Sequence, residues 1–99
     1  MVDGSLRVSV GRAAGEFGEL VGGLTEALVG AVRDISGARD LTLLEIQVRL
    51  VEPAVAGASL HADVECLRRG DNVIFARAAV TDDQERLVAT ATATLVRAA

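Results

Sequence analysis

The chain has 99 residues, ten basic and fourteen acidic, for a net charge of −4 and a pI near 4.8. That length is one domain, residues 1–99, and a half-hydrophobic composition excludes intrinsic disorder. The acidic balance and only two aromatic residues, Phe17 and Phe75, speak against a nucleic-acid binder. One cysteine excludes an internal disulfide framework, and a single histidine leaves no metal-ligand cluster, so neither metal nor cofactor is expected. No apolar run reaches the ~20 residues of a membrane span and the start, MVDGSLRV, does not read as a signal peptide. The expectation is a soluble cytoplasmic protein with no membrane partner. Every basic residue is arginine, whose planar fork suits carboxylate or phosphate.

Residues 5–10 alternate apolar and polar and predict a short strand, followed by a small-residue loop at Gly11–Gly15. Residues 18–35 predict the one helix. Leu20, Leu24, Ala27, Leu28, Ala31 and Ile35 recur at steps of three and four, and Gly37 follows as a stop. Arg33 sits in the last turn, where it favours the dipole. The opposite stripe holds Glu19, Gly22, Glu26, Gly30 and Arg33. Glycines 22, 23 and 30 each cost a helix about 1 kcal/mol relative to alanine. Such a cost is tolerated where a sheet or a second subunit packs closely on the backbone.

The period then changes to two. Leu44, Ile46, Val48 and Leu50 alternate with Glu45, Gln47 and Arg49, predicting a strand over 41–51 with one wet face. Pro53 and Gly57 bound a loop. A second long strand is predicted over 58–68, with Leu60, Ala62, Val64 and Cys66 on its apolar phase. Turn residues at 69–72 lead to a strand over 73–81, and Asp82–Glu85 to another over 87–96. There Thr90, Thr92 and Thr94 share one face and Ala89, Ala91 and Ala93 the other. The order is strand, helix, four antiparallel strands. That is an α+β class in which a curved antiparallel sheet wraps one central helix. An edge strand and a face of small residues left open predict dimerisation.

From Leu41 to Val96 the pattern resembles a hotdog-fold protein, most nearly the acyl-CoA thioesterases of the phenylacetate-degradation type. The residues that carry this are Leu44 to Pro53, Gly57, Arg68-Arg69-Gly70, Val80-Thr81-Asp82 and Leu87 to Ala91. The family's signature, His-Gly-Gly followed two turns on by an acid, is matched by Phe17 to Glu26. The resemblance implies that the Gly18 amide polarises a thioester carbonyl and that Glu26 serves as general base or nucleophile. It implies that Phe17 and the hairpin residues Arg68, Arg69 and Gly70 meet the substrate, an acyl-CoA or acyl-carrier-protein thioester. It also implies a homodimer or homotetramer with its sites at subunit interfaces. The chain departs from the signature at three places. Phe17 replaces the histidine, Glu19 the second glycine, and Gly30 a Ser or Thr one turn after the acid.

A helix rises 1.5 Å per residue, so Gly18 and Glu26 lie about 12 Å apart. One carbonyl cannot bridge that distance, so the reaction needs two subunits. Each residue also has a structural reading. Glu26 is a solvated charge, Gly18 an N-cap, Arg68 and Arg69 a soluble turn, His61 a surface histidine and Cys66 a core residue. These readings leave a non-catalytic hotdog module as the alternative, one that binds an acyl thioester or only assembles. A hotdog dehydratase would need a His/acid pair, and His61 stands on a different element from Glu26.

Overall fold

The computed structural model describes residues 4–13, 17–38, 40–69 and 72–97. In chain order these are β1 (Gly4–Arg12), α1 (Phe17–Ser36), β2 (Leu41–Leu50), β3 (Ser59–Arg69), β4 (Val73–Thr81) and β5 (Leu87–Arg97). The five strands form one antiparallel sheet in the order β1-β3-β4-β5-β2. The helix lies across one face and packs against β1, β3 and β2.

Leu24, Leu28, Ala31 and Val32 supply the helix side of the core and are almost fully buried. Leu60, Ala62, Val64 and Cys66 face them from β3, Ile74, Ala76, Ala78 and Val80 from β4, and Ala89, Ala91, Ala93 and Leu95 from β5. Much of the sheet's inner face is alanine and valine, so the helix seats close to it. α1 ends at Gly37, whose φ of 73° and N–H hydrogen bond to the Arg33 carbonyl (2.8 Å) form a left-handed cap.

The structure corrects two readings. Gly11 and Arg12 belong to β1, not to a loop. The register shifts between Ser9 and Gly11, Gly11 adopts φ 108°, and the strand continues to Arg12 opposite Ser59. Leu44 does not share the inner face with Ile46 and Val48. A second shift between Leu43 and Glu45 leaves Leu44 without a partner on β5, and it is 62 % exposed. Leu43 takes the half-buried position instead. A bulge inserts one residue and so inverts the alternation behind it.

The turn between β4 and β5 is built on Asp82. Its buried carboxylate accepts the amides of Gln84 and Arg86, both at 2.9 Å, and the Arg86 Nε at 3.1 Å. The backbone amides, Arg86 first, hold this carboxyl below the usual carboxylate range. Across the outer face, Arg7 on β1 forks onto Asp63 on β3 at 2.8 and 3.1 Å and reaches Glu85 at 3.3 Å. The Arg7 hydrogen bond lowers the Asp63 pKa.

Candidate functional site

The helix contributes two groups of opposite character to the site. Phe17 is its first residue and Gly18 its second. The Gly18 amide is thus among the first four helical N–H groups, which lack a carbonyl one turn back and carry the positive end of the dipole. Glu26 lies eight residues on. It is exposed on the side away from Leu24 and Leu28 and makes no hydrogen bond or ion pair with any described residue.

The helix glycines divide into two kinds. A Cβ on Gly23 would lie 3.1 Å from the Val10 carbonyl oxygen, so Gly23 is where β1 closes onto the helix. A Cβ on Gly22 or Gly30 would meet nothing within 4 Å. These two stand one turn before and one turn after Glu26, so the carboxylate projects from an open, uncrowded surface. Arg33 continues this stripe and is exposed.

One hollow of about 530 Å³ lies at the helix C-terminus between Arg33, Asp34, Gly37 and Ala38. Another of about 350 Å³ lies between Gln47, Val48, Arg49, Thr90, Ala91 and Thr92. Neither takes in Glu26.

Gly70, expected at the substrate, lies outside the described residues, as do the side chains of Phe17, Arg68 and Arg69. The backbone of Arg68 and Arg69 belongs to β3, paired with Phe75 and Ile74. His61 alternates with the buried Leu60 and Ala62, so it faces outward, between Ser9 and Thr81. The sheet separates it from the helix and Glu26. No group of three or more His, Cys, Asp or Glu able to hold a metal occurs among the described residues. No described helix is long and apolar enough to cross a membrane. Sequence reasoning placed the turn at Asp82–Glu85 but missed the Asp82 carboxylate that holds it, and it missed the Arg7 clasp. The first was readable as an Asx-type turn, while the second depends on register.

No protein-family model matches the chain, and no curated protein matches it by sequence. Solved structures do match. A hypothetical thioesterase of Streptococcus pneumoniae, solved with coenzyme A, superposes with a TM-score of 0.82 at 20% identity, over 99% of this chain and 81% of that one. A Streptococcus mutans protein bound to acetyl-CoA gives 0.80 at 22% identity, over 96% and 82%. The PaaI protein of the Escherichia coli phenylacetic acid degradation operon gives 0.83 at 16% identity, over 96% and 73%. The fold is therefore the hotdog fold, and the likeness to thioesterases of the phenylacetate-degradation type read from the sequence holds in three dimensions.

Proposed function

We propose that this chain is an acyl-CoA thioesterase that works as a homodimer. The observation that carries the reading is Glu26, an exposed carboxylate without a partner among the described residues, eight residues from the Gly18 amide in the helix's first turn, in a hotdog fold. Two of the similar structures hold coenzyme A or acetyl-CoA, which supports an acyl-CoA substrate.

The thioester carbonyl oxygen accepts a hydrogen bond from the Gly18 amide of one copy. Glu26 of the other copy takes a proton from water, and the water oxygen bonds to the carbonyl carbon. The tetrahedral oxyanion is stabilised by the same amide and the positive helix end. The C–S bond then breaks, the thiolate leaves and is protonated, and the carboxylic acid remains. Direct attack by Glu26 would give a mixed anhydride and release the same thiol before water cleaves it. The 12 Å between the two groups along one helix is why two copies are needed. Phe17 and the hairpin residues Arg68, Arg69 and Gly70 are proposed to meet the pantetheine and phosphates, for which arginine forks are suited.

The alternative is a module that binds an acyl thioester without cleaving it. The replaced histidine and the glycine at position 30 favour it, since both remove polar support for a water. Thiol release from a panel of short, long and aromatic acyl-CoAs, with Glu26→Gln in parallel, decides between them. The enzyme reading expects turnover that falls about 100- to 10,000-fold in the variant, the usual contribution of a positioned base. A folded dimer that releases no thiol from any substrate would establish the binding module.

A further inference from the structure

Glu26 is not the only charge on the open stripe of α1. Arg33 stands seven residues further on, close to two full turns, so the two side chains project from one line of the helix, about 10 Å apart along its axis. Arg33 is exposed, and its guanidinium meets no carboxylate among the described residues. Arg7, Arg77 and Arg86, by contrast, each hold one. Arg33 is also too far along to pair with Glu26, since ion pairs on a helix form at three or four residues. Position 30, where such a partner would stand, is glycine, and a Cβ there would meet nothing within 4 Å. The line between carboxylate and guanidinium is therefore bare. Beyond Arg33 it opens into the hollow of about 530 Å³ shared with Asp34, Gly37 and Ala38. Asp34 points about 100° around the helix from Arg33 and makes no ion pair with it.

We propose that Arg33 receives a second carboxylate at the far end of the acyl group, so that the substrate class is the monothioester of a dicarboxylic acid. Glu26 acts here as the base of the thioesterase reading above, on which this substrate class rests. With the thioester carbonyl at Glu26, the bare stretch over Gly30 has the length of an acyl chain of about five to seven carbons. Side chains on a helix lean toward its N-terminus, so the guanidinium reaches back over that stretch and away from the carbonyls of the last turn. Its planar fork matches a carboxylate with two parallel N–H···O bonds. An acyl chain that ends in a methyl group offers the fork no acceptor. A chain of three carbons falls short of it. The phosphates of coenzyme A are a poorer match, because the whole pantetheine arm separates the first of them from the sulfur. Length therefore discriminates along with charge.

Matched pairs of thioesters test this: adipyl- against hexanoyl-CoA, six carbons each, and malonyl- against propanoyl-CoA, three carbons each. Thiol release, with the rate in the absence of protein subtracted, gives kcat/KM for the parent, Arg33→Gln and Arg33→Lys. Circular dichroism melting confirms that each variant is folded. The parent is expected to favour adipyl over hexanoyl by about 10- to 100-fold, the scale of a charge-assisted hydrogen bond. It is expected to show no such preference for malonyl over propanoyl. Arg33→Gln should bring adipyl down to the level of hexanoyl, and Arg33→Lys, which keeps the charge but not the fork, should retain part of the preference. Equal rates for adipyl and hexanoyl in the parent overturn the proposal and leave the thioesterase reading standing. A loss in Arg33→Gln that is the same for both substrates also overturns it and assigns the arginine to coenzyme A. If none of the thioesters releases thiol, the thioesterase reading falls, and titration calorimetry with the same pairs decides Arg33 by itself. Tighter binding of adipyl-CoA that Arg33→Gln abolishes supports the carboxylate contact, and equal binding of adipyl- and hexanoyl-CoA overturns it.

Discussion

The β4–β5 turn with its surroundings and the helix back with the β2 edge are two regions of opposite character. Around the turn, polar groups are matched within the chain. Asp82 is buried with three hydrogen bonds, Arg7 joins β1, β3 and Glu85, and Arg77 meets Glu65 at 3.1 Å. On the other side Glu26, Arg33 and Arg49 stand without partners among the described residues, two helix glycines face nothing, and two leucines of an edge strand are exposed. The first region is complete in one copy. The second has the chemistry and the exposed surface of something completed from outside. The proposed site falls there.

The contrast can be broken by mutation. The largest effect is expected at Glu26, where Gln should remove about 100- to 10,000-fold of turnover with no loss of melting temperature. Unchanged turnover would discard Glu26 as the base. Next comes the core beneath both regions. Leu28→Ala should cost about 2–5 kcal/mol in denaturant unfolding, because it opens a cavity between helix and sheet. The glycines sharpen the comparison further. Within the single chain, Gly30→Ala should gain roughly 0.5–1 kcal/mol from helix propensity, since its Cβ meets nothing. Gly23→Ala should show less of that gain, because its Cβ would lie 3.1 Å from the Val10 carbonyl oxygen. Equal gains at the two positions would mean that β1 gives way freely there.

A smaller effect concerns pH. The folded-state pKa of Asp82 is depressed, so its carboxylate stabilises the fold above the unfolded value of about 3.9. That stabilisation is lost as pH falls below this value and through the folded pKa. Asp82→Asn should lower the melting temperature at neutral pH and flatten its acid limb. A parallel downward shift at every pH would assign the loss to the turn's geometry instead of its charge.

The alternations in the sequence were enough to read the strands on β3, β4 and β5, because period two holds along most of each, with shifts only between Cys66 and Arg68 and between Val80 and Thr81. Leu44 shows where the reading stops. Its spacing places it with Ile46 and Val48, but a bulge is decided by the partner strand, and no local pattern on β2 announces it. Gly11 shows the same in β1. The helix was legible from its apolar stripe, although Val32, fully buried, was not singled out. Glu26 and Gly18 came from likeness to a signature, and the fold places both on one helix. How two copies would bring them together, as proposed, is a property of an assembly, which spacing along one chain cannot encode.

The Arg7 clasp has a further consequence for how the molecule is made. Of the described strands β1 is synthesised before the others, yet β3, the strand it pairs with, follows some fifty residues later. Contacts so distant in sequence slow folding, and the short Ser-Leu-Arg-Val-Ser-Val motif gives β1 little to distinguish one alignment from the next. A slip of one residue would drive the guanidinium into the apolar interior. A slip of two would keep it outside but take it away from Asp63 and Glu85. The arginine therefore works as a registration mark. Asp63 rewards the correct alignment of β1, and Glu85 adds to it once the last hairpin, with Glu85 at its tip, is in place.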